Sequence, residues 1–397
     1  MVKIQHIETE ETQGILRTVF SDQNIIYILA LSVFLPPVFT TIAIITMGLY
    51  VCISKHTRKR IFVHSGSKWL IPFFLISGGA SAFYQNIPGL ITTAILVFIF
   101  ILGLFLRSAM TVKIFEHMLN IITMVSLPIG LVAAFEWIML RVFDPTNQDN
   151  FRCVSIFFNS NYFATVVATV IMICAYKVGT HQGNRPLYFL IAGVNMFSAY
   201  LSGSLFVWVE IFIGVALIFF LMKKHEMLSG LLLGCALFCL VIYFAPGVFL
   251  PRLTESPVTT DRRFEIWETA LRAFLKTPLF GRGPLTYLQV YSSIKDGYPT
   301  QHAHNMYLDP LLSFGLVGTT FLMIYVGSYL KTLWQCLKEN RSEKISILIC
   351  AIVAAVAVHG TTDFTVFWVQ TGILIMLILS GIGICEKRKE RSAMRHV

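Results

Sequence analysis

Long, predominantly apolar stretches recur along the chain, among them ITTAILVFIFILGLFL (91–106) and FVWVEIFIGVALIFFL (206–221). A bilayer core of about 30 Å needs about 20 helical residues to cross it, and in lipid a helix satisfies its own backbone hydrogen bonds. With 56% of the 397 residues hydrophobic, 13% charged and a mean hydropathy of +0.71, an ordinary soluble domain is excluded. The expected fold is all-α: a polytopic transmembrane bundle forming a single integral membrane domain over 1–397.

The net charge of +10 is first a topology signal, because Lys and Arg concentrate in cytoplasmic loops. KHTRKR (55–60), Lys113, Lys177 with Arg185, Lys223 with Lys224, the 331–344 segment and the tail EKRKERSAMRHV sort to that face. No nucleic-acid partner is called for. The polar, acidic start MVKIQHIETEETQG lacks a leader pattern, so the chain is expected to insert through its own helices. The cysteines fall mostly in or beside apolar spans, Cys153 being the candidate for the other face, and imply no disulfide framework. Spans are predicted near 69–86, 88–106, 115–140, 160–177, 187–203, 205–222, 228–249, 306–330, 346–362 and 366–384. From Asn24 to Ser54, Pro36 and Pro37 predict two short helices. That gives about 12 spans with both termini cytoplasmic; 11 with an external N-terminus is the alternative.

Two outer loops follow from this alternation, 141–159 and the larger extracytoplasmic loop 250–305. They carry Arg141, Arg152, Arg252, Arg262, Arg263, Arg272, Lys276, Arg282 and Lys295, against the usual depletion on that side. An anionic partner is one reading. A salt-bridged surface using Glu255, Asp261, Glu265, Glu268 and Asp296 is the other. Over 261–276, a 100° step gathers Phe264, Trp267, Leu271, Phe274 and Leu275 on one arc, predicting an amphipathic interfacial helix. Arg262, Glu265, Thr269, Arg272 and Lys276 fall on the opposite arc, whereas Arg263 stands alone beside the apolar face, one turn before Trp267. A guanidinium there is held at the depth of a lipid phosphate. Pro and Gly in TPLFGRGP (277–284) then turn the chain and place Arg282 on that turn.

In HAHNMYLDPLLSFGLVG (302–318) polar residues enter an apolar run. His304, at or near a helix start, should favour its neutral form and face an anion-friendly site, where it can take a proton. Alternatively His302, His304 and Asn305 merely cap the helix. Glu136, near an outer helix end, is a candidate to line the site, and Glu210, deeper in its span, could pair with an arginine or be protonated. Asn159 and Asn161 are read as caps that also face the outer cavity, and His359 and Asp363, one turn apart, either as a mutual hydrogen-bonding pair or as substrate contacts.

These segments resemble the O-antigen ligase and polymerase superfamily. RFEIWETALRAFLKTPLFGRGP (263–284) is similar to its Arg-x-x-x-Trp helix and Gly-x-Gly-Pro turn, and the His-Asn run to its late-helix signature. FNSNYFATVVA (158–168) and HGTTDF (359–364) are weaker matches, so the resemblance covers the chain from about 158 onward. It implies a metal-independent glycosyltransferase without cofactors, moving glycan from an undecaprenyl-diphosphate carrier to a glycan or glycolipid acceptor. By the same resemblance, the enzyme sits in the bacterial plasma membrane with its site on the extracytoplasmic side. It also implies His304 as the catalytic histidine and Arg263 as the loop arginine. Substrate contacts are expected from His302, Asn305, Arg282, Arg141, Arg152, Trp267 and Glu136. In LSGSLFVW (201–208) the chain has Leu205 where many members have an arginine, so either Arg141, Arg152 or Arg282 substitutes or the pocket differs. The competing class is a lipid-linked oligosaccharide flippase or another transporter, whose binding groups would sit nearer the bilayer midplane.

Overall fold

The computed structural model describes residues 20–64, 66–143, 152–245, 256–294, 297–339 and 344–393. Arg252, Glu255, Lys295, Asp296 and the acidic N-terminal stretch lie outside the described residues. Within them the secondary structure is helical, without strands. The helices are α1 (Asp22–Ser32), α2 (Pro37–Ile53), α3 (Leu70–Phe83), α4 (Ile87–Ala109), α5 (Val112–Phe143), α6 (Ser160–Gly179) and α7 (Arg185–Ser202). There follow α8 (Phe206–Leu221), α9 (His225–Phe244), α10 (Ser256–Lys276), α11 (Leu308–Lys338), α12 (Ile345–His359), α13 (Val369–Leu379) and α14 (Ile382–Ala393), with short helical turns between some of them.

Among the described residues, six segments are long and apolar enough to cross a membrane: α4, α5, α6, α9, α11, and α13 with the start of α14. Three more, α2, α8 and α12, are apolar but shorter. Each predicted span therefore coincides with a helix, and six of the segments have the length and apolarity of a membrane-spanning helix. The double proline breaks the chain as expected, with Pro37 opening α2. At 1.5 Å per residue the 16 residues of α8 reach about 24 Å, short of a full crossing. The first residue of α8 and the last of α12 meet, Phe206 stacking on His359. Short helices thus end against one another and leave polar chain between their tips.

Helix α6 is enclosed on all sides along its apolar window, and it packs against α7, α8, α12 and α13. Helix α10 lies against α11, and its buried side is made of Ile266, Thr269, Ala270 and Ala273. Phe264, Leu271 and Leu275 are exposed and form an outward apolar row. One helical-wheel expectation is corrected: Thr269, placed on the wet arc, is buried.

Helix α11 is interrupted at Gly315, whose φ of 64° and ψ of −172° are non-helical. The turn 277–284 fills the break. Leu316 N–H donates to Pro278 O (2.8 Å), Val317 N–H to Leu279 O (3.0 Å) and Gly283 N–H to Ser313 O (2.7 Å). The turn is held from its other side by Asn86, whose amide donates to the carbonyls of Arg282 (3.0 Å) and Pro284 (2.8 Å). The backbone groups freed by the break are therefore satisfied inside the protein, as apolar surroundings require. This splice sets the position of α10 against the start of α11.

Candidate active site

The chain enters α11 through His302, His304 and Asn305, and leaves α12 through Thr361 and Asp363; the two passages are laced together. Met306 N–H donates to Gly360 O (2.7 Å). The Asn305 side chain donates to Thr361 O (3.0 Å) and accepts from Tyr307 N–H (2.9 Å) and Leu308 N–H (3.0 Å). Asn305 is thus the cap and the strap, one of the two readings its sequence allowed.

His304 stands ahead of the helix rather than in its first turn, in the left-handed region with φ 45°. A residue with a Cβ adopts that conformation under strain. Its neighbours hold it there: Ala303 N–H donates to Asp309 Oδ1 (2.8 Å), and His304 N–H donates to His302 Nδ1 (3.2 Å). The two imidazole centroids are 4.4 Å apart.

The side chain of His304 reaches Asp363, with 3.0 Å between Nδ1 and Oδ1. If Nδ1 carries the proton donated to Asp363, Nε2 keeps its lone pair in the neutral ring, where it faces the Thr300 hydroxyl at 3.0 Å. The His304 side chain is 26% exposed and that of Asp363 2%. The orienting carboxylate is therefore sealed while the imidazole remains accessible. The second carboxylate oxygen of Asp363 accepts from the Asn161 amide, and the Asn161 carbonyl oxygen accepts from Arg152. Burial opposes ionisation of Asp363, yet the His304 hydrogen bond and the charges of His304, His302 and His359 hold it well below the usual carboxylate range. Burial, with His304 alongside, pushes His302 down to about 4 despite Asp363.

Arg152 also donates from Nε to Ser202 O (3.1 Å). Of the three arginines considered for the place taken by Leu205, it is the one brought to that bend. Arg141 is exposed and lies over the Trp137 ring at 4.2 Å; Arg282 lies over Tyr84 at 4.9 Å, on the α3–α4 side. Glu136 accepts from Val154 N–H (3.1 Å) and Ser155 N–H (2.8 Å), so it clamps the strand of chain that presents Arg152. Arg263, half-buried on α10, is near enough to His359 for the two charges to interact. It thus faces the same end of the bundle as Asp363. Trp267, one turn on, is half-buried, with an indole N–H that has no hydrogen-bond partner among the described residues.

Two pairings differ from expectation. His359 and Asp363 are linked by backbone, Asp363 N–H to His359 O at 3.1 Å, but their side chains go elsewhere. His359 Nδ1 lies 2.6 Å from Glu210 Oε2, with both side chains at most 2% exposed. Glu210 thus meets a histidine instead of an arginine. Asn161, read as a cap, bridges Asp363 and Arg152, while Asn159 does the capping by accepting from Asn161 N–H (2.8 Å).

His302, His304 and Asp363 each offer a ligand atom within 4.8 Å of the others, so they could in geometry hold a cation. His304 Nδ1 is already paired with Asp363 Oδ1, the other Asp363 oxygen accepts from Asn161, and His302 Nδ1 accepts from the His304 backbone N–H. No linear metal motif would have signalled the set, because the carboxylate comes from another helix connection.

The O-antigen ligase family model matches residues 187–323, from α7 through α10 and the glycine turn into the first half of α11. Asp363, Asn161 and Arg152 lie outside that match. The ComP-specific O-oligosaccharyltransferase of Acinetobacter baylyi is 22% identical over 360 residues, 84% of this chain. The chain spans 65% of that relative's length. The arginine-to-tryptophan helix and the histidine run both lie inside the stretch that matches the O-antigen ligase family model.

Proposed function

We propose that the protein transfers a glycan from an undecaprenyl-diphosphate carrier to an acceptor hydroxyl at the outer face of the bacterial plasma membrane, in cell-envelope polysaccharide assembly. The supporting observation is the 3.0 Å contact between His304 and Asp363, at the end of the bundle that Arg152 and Arg263 also face.

In this reaction the anomeric carbon loses its bond to the diphosphate oxygen and gains one to the acceptor oxygen. His304 Nε2 takes the acceptor proton, with Asp363 fixing the ring and stabilising the imidazolium. The diphosphate leaves as an anion, so the site must supply positive charge, which falls to Arg263 on the loop helix and Arg152 at the Ser202 bend. Arg152 then serves where Leu205 replaces the family's arginine. Trp267 offers an indole face and N–H to the sugar, and the outward row of Phe264, Leu271 and Leu275 suits a membrane-surface position for α10. A transporter is disfavoured because these groups gather at one end of the bundle, whereas transporters place theirs near the midplane.

The relative's name supports a second reading, in which the acceptor hydroxyl belongs to a protein. Reconstituted protein given carrier-linked glycan and acceptor should form product, and a folded His304→Ala variant should not. Normal transfer by that variant removes the assignment; glycan crossing the bilayer unchanged makes the protein a transporter. Transfer should survive a chelator. Loss restored by a divalent ion would make His302, His304 and Asp363 ligands instead. In a deletion strain, accumulated long carrier-linked chains would indicate a ligase and accumulated single repeats a polymerase.

A further inference from the structure

At the opposite end of the bundle, a cavity of about 480 Å³ opens between the end of α4, the second half of α11 and the start of α14. Arg107 and Glu386 face each other across it. Arg107 Nε donates to Glu386 Oε2 (2.8 Å), a second guanidinium N–H donates to Oε1, and the guanidinium lies 5.4 Å from the centre of the Tyr329 ring. His64 Nδ1 approaches the same Oε2 at 3.0 Å. Glu386 is thereby engaged from both sides.

Two buried polar atoms are left over. Arg107 Nη1, a donor, and His64 Nε2, which donates only in the protonated ring because Nδ1 is turned to Glu386, have no hydrogen-bond partner among the described residues, on side chains only 3% and 8% exposed. The buried guanidinium N–H calls for an acceptor. Lys331 and Lys387 line the same space, against Glu339 and Glu386, so with Arg107 the lining keeps an excess of positive charge even when His64 is neutral. A guanidinium with a spare N–H, flanked by ammonium groups, matches phosphate oxygens. The same stretch of α11 also carries an interfacial marker. Trp334, three residues along α11 from Lys331, is 60% exposed, with the Lys338 ammonium 5.2 Å from its ring centre. Trp and Lys in that arrangement typically lie at headgroup depth.

We propose that this cavity binds a phosphate group, from an anionic phospholipid headgroup or from free phosphate, away from the glycan-transfer site. The test is binding to the full-length protein in detergent, followed by native mass spectrometry with phosphatidylglycerol, phosphatidylcholine and inorganic phosphate in separate arms. Preferential retention of phosphatidylglycerol supports a lipid source, and retention of inorganic phosphate a free one. Lys331→Gln/Lys387→Gln should weaken either by roughly tenfold or more, from about fivefold per lysine near an anionic headgroup. Lys331→Gln alone, at an exposed position, should show about half that effect on a logarithmic scale and guards against misfolding from the lost Lys387 contact to Met110 O (3.0 Å). Lys113→Gln, an exposed lysine at the same end, should change nothing. Phosphatidylglycerol held no better than phosphatidylcholine with no bound phosphate, or double-variant binding equal to wild type, overturns the proposal.

Discussion

His304 Nδ1 and Asp363 Oδ1 are 3.0 Å apart, joining the chain ahead of α11 to the chain beyond α12. A carboxylate in that position selects the tautomer that leaves Nε2 basic. Asp363→Asn should therefore keep the fold but lower the transfer rate roughly 10³- to 10⁴-fold, as when an orienting carboxylate is neutralised in a catalytic triad. Turnover measured beside a thermal midpoint separates this from unfolding. A variant with an unchanged rate would show that the contact only ties the two connections together.

Arg263 and Arg262 are neighbours with different surroundings. Arg263 is half-buried and interacts with the His359 charge, whereas Arg262 is exposed, 5.5 Å from the centre of the Tyr298 ring. Arg263→Ala should reduce kcat about 10²- to 10³-fold, the size of effect seen when one preorganised donor to a developing anion is removed. Arg263→Lys should recover part of this. Arg262→Ala should stay within a few-fold of wild type. Equal losses at the two positions would mean that general loop charge, and not a placed guanidinium, serves the leaving group.

Much of the helical order is legible in the sequence because apolar runs and proline breaks are local signals, as Pro36 and Pro37 illustrate. The motifs carrying His304 and Arg263 are equally local. The partners are not: Asp363 lies 59 residues from His304 and Asn161 lies 202 residues from Asp363, separations that only tertiary packing closes. The buried seam of α10 was hidden for a related reason. Its Ala270 and Ala273 carry a weak hydropathy signal, while the larger, outward Phe264 and Leu271 dominate a helical wheel. Glu210 announced itself as a costly charge in an apolar span, but nothing in its own neighbourhood named His359.

Acidification should weaken the site before it weakens the bundle. An unfolded histidine takes up a proton near about pH 6.5, whereas buried His302, with His304 beside it, does so near about 4. Between those values the unfolded chain binds more protons, so the contribution from His302 is whole above the upper value and is lost as pH falls towards the lower one. Asp363, depressed below the usual carboxylate range, adds stability present above that range and lost as pH falls further. Thermal midpoints from pH 7.5 to 4.5 should fall for wild type and fall less steeply for His302→Gln. Parallel curves would assign the acid sensitivity to other groups.

Gly315 ties the loop helix to the histidine helix through a conformation essentially reserved for glycine, φ 64° with ψ −172°. A Cβ there would lie 2.4 Å from the Leu279 carbonyl and 2.5 Å from Phe280 N, both backbone atoms that cannot rotate aside. Gly315→Ala should therefore combine backbone strain of about 1–3 kcal/mol with a clash that pushes the 277–284 turn off α11. The hydrogen bonds from Leu316 and Val317 to that turn would be lost, and Arg263 would lose its register against His304. Limited proteolysis should show faster cleavage near 277–284, together with a strong loss of transfer, while the protein remains helical. Gly327 lies on the same helix with open space where its Cβ would stand, so Gly327→Ala should be neutral or slightly stabilising by about 0.5–1 kcal/mol. If both variants behave alike, the Gly315 break is not what holds the arginine helix in place.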